Sequence, residues 1–410
     1  TIVIRVVGSA WSQLDPRLEQ AARALGSSPW RSLREVILPL LRPSIFAAGL
    51  LVFIFDFTSF GVILLLGGPR FATLEVEIYI QALQMLNLPL AGLLSAIQLV
   101  CTLALTIVYS RVAARLHTPL APRLQGEGIK RPRTFKERLA VVSTVLVLVA
   151  LLVAPLAALG LRSVTRLEAE RGQRGAVEAG LTLDYYRELF INRRQSFFYV
   201  PPIEAARNSL IYASVTVLIS VSLGLLAATA LVRRAWVNRL LDPLLMLPLG
   251  TSAVTLGLGF ISVFNRPPLD VRSFPLLVPI AHSLVALPFV VRALQPAIQS
   301  IPPNLRQAAT VLGASPWRVW WEVDLPIIAR AALVSAIFAF TISPGEFGAT
   351  SFLARPEYPT LPVAIFRFIG QPGALNYGQA LAMSTLLLIM CALGILLIER
   401  IQLPGLREGL

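Results

Sequence analysis

One stretch of 22 residues occurs twice in this chain, and the rest of the sequence is organised around it. The first copy, Leu18–Pro39, reads LEQAARALGSSPWRSLREVILP, and the second, Leu305–Pro326, reads LRQAATVLGASPWRVWWEVDLP. Fourteen of the 22 positions are identical, at an offset of 287 residues. Weaker identity continues beyond it, for example at Phe53 and Phe340 and at Gly61 and Gly348. The chain therefore contains an internal duplication that is strictest in this segment.

The composition is that of a membrane protein. Hydrophobic residues make up 56% of the 410 residues and charged residues only 14%, whereas a soluble domain carries about 25% charged residues. This excludes a soluble enzyme, and it favours anionic lipid over nucleic acid as the reason for the net charge of +14. Both cysteines, Cys101 and Cys391, lie in apolar runs, which is typical of packing residues and not of a disulfide framework.

Long apolar runs predict an all-α integral membrane fold, because a helix needs about 20 apolar residues to cross a bilayer and satisfies its own backbone hydrogen bonds. We expect about eight transmembrane helices, near residues 41–66, 89–114, 138–162, 207–232, 241–264, 274–294, 329–353 and 376–400.

The loops between these spans differ in charge. The loops on the side of the two repeated segments hold 23 Lys and Arg residues, and the loops on the other side hold 13. The positive-inside rule therefore predicts that both repeated segments and the C-terminus face the cytoplasm. Six predicted spans separate the two copies, so the repeat is parallel, unlike the inverted repeats of many secondary transporters.

The repeat also predicts the domain organisation. Four spans precede the second copy within its half, and none precedes the first copy. We therefore expect residues 1–116 to be the C-terminal part of a first half cut short at its N-terminus, 117–137 to be a cytoplasmic linker, and 138–410 to be a complete six-helix second half with an outer loop at 163–206.

Each repeated segment predicts two short helices separated by a turn. Gly26 and Gly313 precede Pro29 and Pro316 by three residues, which is typical of a helix end followed by a new start. Pro39 and Pro326 are predicted to mark the start of the following span and to act as hinges, since a missing N–H costs little there.

The two segments resemble the EAA motif of membrane subunits of ABC importers, in which Glu-Ala-Ala is followed by Gly and then by Leu-Pro. Gln stands in both copies where the family has Glu. The resemblance implies two fused type I importer halves whose segments form coupling helices that dock on partner ATPase subunits. The residues that match the motif are Gln20, Ala21, Ala22, Gly26, Gln307, Ala308, Ala309 and Gly313.

The same resemblance implies the partners and the location. ATP and Mg would be bound by the partner ATPases, and a periplasmic or lipid-anchored binding protein would deliver the solute to this inner-membrane permease. The segments Phe57–Gly61, Thr73–Tyr79 and Gly345–Gly348 are most similar to thiamine permeases, with iron(III) permeases next. This chain has no P-loop of its own, because neither Lys130 nor Lys136 follows a glycine-rich turn.

Two acidic residues interrupt predicted spans, Asp56 and Glu346. A carboxylate inside a bilayer costs about 3 kcal/mol unless it faces water or a partner. Either these residues line the translocation path and meet a cationic solute, or they lie near the outer mouth, where they are solvated or cap a broken helix beside Pro344 and Gly345. His282, also within a span, is interpreted as a hydrogen-bonded packing residue.

Two other classes of membrane protein compete with an ATP-driven importer. A secondary transporter driven by an ion gradient is expected to carry several charged residues in its spans, and only Asp56 and Glu346 are available here. A membrane enzyme is expected to cluster His, Asp or Glu near an interface, and the sequence contains no such cluster.

Overall fold

A computed structural model gives the architecture of the chain. It describes residues 2–67, 69–114, 134–166, 180–191, 201–232, 241, 244–248, 251–264, 274 and 276–400. Within these residues the regular structure is helical, apart from an isolated β-bridge between Thr165 and Leu181. The all-α prediction is confirmed.

The chain divides into two compact units. The first comprises residues 1–81 and 87–151, and the second comprises 82–86 and 152–410. In the first unit, α1 packs against α4, and α7 packs against α4 and α6. Its helices are α1 (Ile2–Gln13), α2 (Pro16–Ala24), α3 (Pro29–Ser32), α4 (Leu38–Phe57), α5 (Gly61–Leu66), α6 (Leu74–Tyr79) and α7 (Leu88–Ala114).

α8 (Phe135–Ser163) leads into the second unit, and it begins with a capping box in which Thr134 and Glu137 each bind the other's backbone N–H. The helices that follow are α9 (Asp184–Glu188), α10 (Pro202–Val232), α11 (Ala253–Val263), α12 (Leu277–Gln299), α13 (Pro303–Val311), α14 (Pro316–Val319), α15 (Leu325–Gly345), α16 (Gly348–Leu353), α17 (Leu361–Ile369) and α18 (Ala374–Arg400).

The core of the second unit lies where α10, α12 and α15 pack together. Small residues let these helices approach closely. A Cβ atom on Gly224 of α10 would collide with Val290 of α12, so this contact requires glycine. The buried residues of this core include Ala228, Ala286, Val290, Val291, Leu294, Ile298, Ile328 and Ala339.

The duplication seen in the sequence extends through the fold. α2, α3, α4, α5 and α6 begin at residues that lie 287 positions before the starts of α13, α14, α15, α16 and α17. A π-helical turn follows the short helix in both copies, at Leu33–Ile37 and at Trp320–Asp324. The repeated unit therefore runs from the loop through at least five successive helices.

Seven helices among the described residues are long and apolar enough to span a membrane. They are Pro29–Phe57, Leu88–Tyr109, Phe135–Ser163, Pro202–Val232, Leu277–Gln299, Pro316–Gly345 and Ala374–Ile398. In the region of the eighth predicted span, 241–264, the longest described helix is Ala253–Val263, which has 11 residues. Most of the predicted linker 117–137 and parts of the loop 163–206 lie outside the described residues.

Two predicted span boundaries are wrong. Residues 41–66 and 329–353 do not form single helices, because each run breaks near its end, after Phe57 and after Gly345, and continues as a helix of six residues. Both runs also begin earlier than predicted. A continuous helix extends through the π turn from Pro29 in one copy and from Pro316 in the other.

Candidate functional site

The first repeated segment forms a helix, a tight turn and a second helix. The Asp15 carboxylate accepts a hydrogen bond from the Arg17 N–H at 2.8 Å and starts α2. Gly26 ends α2 with a φ of +86°, and the Ser27 N–H then donates back to the Ala22 carbonyl at 3.0 Å. The Ser28 hydroxyl starts α3 by accepting from the Arg31 N–H. This glycine-terminated turn confirms the predicted pair of short helices.

The second segment repeats this geometry. Gly313 has a φ of +82°, the Ala314 N–H donates to the Ala309 carbonyl at 3.0 Å, and the Ser315 hydroxyl accepts from the Arg318 N–H. A Cβ atom at either glycine would meet nothing within 4 Å. The backbone conformation is therefore the reason for glycine at both positions, and not a shortage of space.

Both segments present apolar side chains at their turns. Leu25 and Leu312 are 88% and 86% exposed, and Trp30 and Trp317 are 72% and 68% exposed. The motif residues Gln20, Ala21, Gln307 and Ala308 are exposed as well, while Ala22 and Ala309 are half-buried. Large exposed apolar residues repeated at equivalent positions are typical of a surface that contacts another protein or lipid.

The proline residues that follow lie at the start of α4 and α15, where the helix of the loop continues into the span without a break. Pro39 and Pro326 come directly after the π turns, in the first turn of α4 and α15. A proline in a continuing α-helix would clash with the carbonyl four residues before it, and the wider π turn relieves that clash. Their predicted role as hinges stays a prediction.

An ion pair that sequence reasoning missed ties the second segment to its span. Arg306 Nε on α13 lies 2.8 Å from the Asp324 carboxylate in the π turn. The equivalent positions of the first segment hold Glu19 and Ile37, and Glu19 pairs instead with Arg23 within α2, at 2.6 Å. Eighteen residues separate Arg306 from Asp324, so no helical spacing in the sequence could have indicated the pair.

The two acidic residues of the spans have different surroundings. Asp56 lies in the last turn of α4 and is exposed. Glu346 lies in the break between α15 and α16 and is 8% exposed. Its carboxylate accepts hydrogen bonds from the Ala349 N–H at 2.8 Å and from the Thr350 N–H at 3.0 Å. Glu346 therefore caps α16, while its place in the translocation path stays a prediction.

The Glu346 cap is part of a buried polar network. His282 of α12 places Nε2 3.2 Å from Glu346 Oε2 and 2.7 Å from the Thr350 hydroxyl, while Nδ1 lies 2.8 Å from the Ser343 hydroxyl. The Ser343 hydroxyl also lies 3.4 Å from that of Thr216 on α10. Both ring nitrogens of His282 therefore have hydrogen-bond partners. This confirms His282 as a hydrogen-bonded residue.

The first unit contains a different buried pair. Gln98 of α7 donates a hydrogen bond to the Glu75 carboxylate of α6 at 2.9 Å, and both side chains are almost completely buried. The sequence does not indicate this pair. Glu75 lies in the first turn of α6, and an acid at that position is equally typical of an exposed helix start. Positions 287 residues later hold Pro362 and Thr385, so the pair is not repeated.

Comparison with known proteins places these features in a family. The family model of the binding-protein-dependent transport system inner membrane component matches residues 1–120 and 220–403. A probable ABC transporter permease of Sinorhizobium fredii is 27% identical over 96% of this chain and 69% of its own length. The thiamine transport system permease of Escherichia coli is 27% identical over 98% of this chain and 70% of its own length.

Shorter relatives match part of the chain. The molybdenum transport system permease of Escherichia coli is 32% identical over 47% of this chain and 91% of its own length. A crystal structure of a bacterial ABC transporter that imports alginate covers 65% of this chain and 96% of its own chain, with 18% identity and a TM-score of 0.49. Because the family model matches well over half of the residues, the chain belongs to the binding-protein-dependent transport system inner membrane components, the permease subunits of ABC importers.

Proposed function

We propose that this protein carries a small solute inward across the membrane and that separate ATPase subunits hydrolyse ATP. ATP and Mg are bound by those partner subunits. The observation that carries the proposal is the pair of matched loops, with the same left-handed glycine, the same serine cap and the same exposed Leu and Trp. Two loops with the same surface are expected to bind two copies of one ATPase subunit. Membership of the family supports this assignment.

We place both loops and the C-terminus in the cytoplasm and assign the opposite face to a periplasmic or lipid-anchored binding protein. The excess of Lys and Arg on the loop side supports this orientation. Helix continuity supports the transmission of force, since each loop leads without interruption into a span of 29 or 30 residues.

Thiamine is the solute that we propose first, with iron(III) second. The support is likeness to a thiamine transport permease across nearly the whole chain. Of the two acids predicted for the path, Glu346 already accepts hydrogen bonds from α16. Asp56 is exposed and is therefore the stronger candidate to bind a cation. Likeness to a molybdenum permease makes molybdate the alternative to test.

The test is purification in mild detergent followed by reconstitution in liposomes. We expect an ATPase to copurify, and we expect labelled thiamine to enter the liposomes only when ATP is supplied on the loop side and the binding protein on the opposite side. A protonophore should leave this uptake unchanged. Uptake that follows the proton gradient and ignores ATP would contradict the proposal and support a secondary transporter. ATP-dependent uptake of molybdate but not thiamine would contradict the solute assignment alone.

A further inference from the structure

The second loop and the buried network of His282 lie at opposite ends of the same two helices. α12 runs into the loop, and α15 leaves it. His282 lies about 26 Å along α12 from the end of that helix at Gln299, at 1.5 Å per residue. Ser343 lies about 27 Å along α15 from its start at Leu325. α12 and α15 therefore form a helical hairpin, with the loop at one end and the His282 network at the other.

Apolar packing holds the body of this hairpin together. α12 and α15 pack along the core that contains Val290, Leu294, Ile328 and Ala339. The helix that leaves the loop is continuous, since it extends from Pro316 through the π turn to Gly345 at the end of α15. A displacement of the loop therefore reaches the region of Ser343 through α15, because closely packed interiors transmit strain.

Beyond Gly345 this stiffness is lost, because the helix breaks before α16. Helical hydrogen bonds no longer connect the two segments there, and Glu346 has an extended backbone with a ψ of 120°. Side chains make the connection instead. His282 contacts Ser343 before the break and both Glu346 and Thr350 after it, with three separations between 2.7 and 3.2 Å.

The equivalent break in the first unit has different chemistry. Ser59 lies 287 residues before Glu346, and Asp56 lies 287 residues before Ser343. Phe60, the residue before α5, forms no side-chain cap, and the Thr58 hydroxyl donates to its own helix at the Ile54 carbonyl. The network of the second unit is therefore not needed merely to form a broken helix.

We propose that His282 and Glu346 form a latch that joins α12, α15 and α16 into one lever, so that movement of the loop at Gly313 is transmitted to α16. His282 is a positioning residue in this account, because it acts through Glu346 and Thr350. The inference rests on the proposed function, since an ATPase must move the loop. It assigns to the second half a transmission element that the first half lacks within its described residues.

The test follows α16 directly and needs no solute. Ser351→Cys places a reporter thiol on α16, where the native hydroxyl donates to the Gly348 carbonyl of the same helix. Cys101 and Cys391 are replaced by alanine so that the reporter is the only thiol of this chain. In the complex with its copurified ATPase, the rate at which maleimide labels the reporter thiol is compared between the nucleotide-free and vanadate-trapped states. We expect the two rates to differ by about two- to thirty-fold.

His282→Leu should reduce that ratio to near one while the ATPase stays bound, because the docking loop is untouched. His282→Gln, whose amide reaches Thr350 and Glu346, should restore most of the difference. Ser283→Ala is the matched control, since Ser283 is a buried neighbour whose hydroxyl donates to the Pro279 carbonyl of the same helix. It should behave as the unaltered protein. If His282→Leu does not fold, Ser343→Ala removes one arm of the latch and should lower the ratio in the same direction.

A nucleotide-dependent ratio that survives in His282→Leu would overturn the latch, and so would a reporter thiol that ignores nucleotide when the latch residues are unaltered. Failure of any ATPase to copurify would instead contradict the proposed function, and the inference with it. The two failures are therefore distinguished before labelling begins.

Discussion

At the scale of single residues, Gly313 and Gly26 are set by backbone conformation. Both have φ values above +80° and open space around the missing Cβ atom. A residue with a side chain costs about 1–2 kcal/mol in that conformation, and nothing in the surroundings adds a clash. The effect of substitution is therefore confined to the shape of the loop.

Gly313→Val is expected to leave membrane insertion and thermal stability of the spans intact. It should lower the fraction of correctly shaped loops by a factor of roughly 5–30, because 1–2 kcal/mol opposes the turn. ATP-driven uptake in liposomes should fall accordingly. Gly313→Asn should retain more activity, since Asn tolerates positive φ. Gly49→Ala, in a helix with open space around it, is the control and should have no effect.

Glu346→Ala and Asp56→Ala should differ in stability. The Glu346 change leaves the N–H groups of Ala349 and Thr350 without their acceptor and removes the carboxylate beside His282, and each buried group left unpaired costs about 1–3 kcal/mol. Asp56 is exposed at the C-terminal end of α4, where the helix dipole disfavours an acid. Thermal unfolding in detergent should show a lower Tm for Glu346→Ala only. Equal melting temperatures would contradict the assigned cap.

Sequence reasoning treats these two acids alike, and it has no means to separate them. Both interrupt apolar runs, and the partners that distinguish Glu346 lie far away in the chain. His282 is 64 positions before it, on another helix. The glycine turns, by contrast, depend on residues within about six positions of one another, as capping motifs do, so the sequence predicts them correctly.

At the scale of helices, apolar length predicts which segments form spans but not where the spans break. Each break falls at a short interruption, Asp56–Ser59 in one run and Ser343–Glu346 in the other, which is too brief to divide an apolar run of about 20 residues by hydropathy. The breaks arise from backbone geometry and from side-chain caps, which composition does not encode. The π turns were missed for the same reason, since an i to i−5 hydrogen bond leaves no distinct residue pattern.

Pro326→Ala tests the π turn. Alanine restores an N–H and removes the ring that opposes a regular α-helix, so the variant should be at least as stable to heat as the unaltered protein. Closing the turn would change the angle at which the loop leaves α15, and ATP-driven uptake should therefore fall. Pro303→Ala, at the first position of α13, should change neither property, because a proline there costs little. Reduced stability of Pro326→Ala would argue against this interpretation.

At the scale of the whole molecule, duplication explains both the symmetry and the differences between the halves. The loops, the π turns that follow them and the helix breaks recur at one offset, whereas the Glu75–Gln98 pair and the His282 network do not. Glu75 and Gln98 belong to the first unit, and His282, Ser343, Glu346 and Thr350 belong to the second. The two halves therefore share the geometry of their loops and differ in the polar residues of their interiors.

The most direct measurement is site-specific photo-crosslinking from the two exposed leucines of the loops. A photoreactive amino acid is placed at Leu25 or at Leu312, and the complex is irradiated in native membranes before purification. The account predicts that each position captures an ATPase subunit, with similar yield, from the cytoplasmic side. Capture from opposite faces of the membrane, or from only one of the two positions, would contradict it.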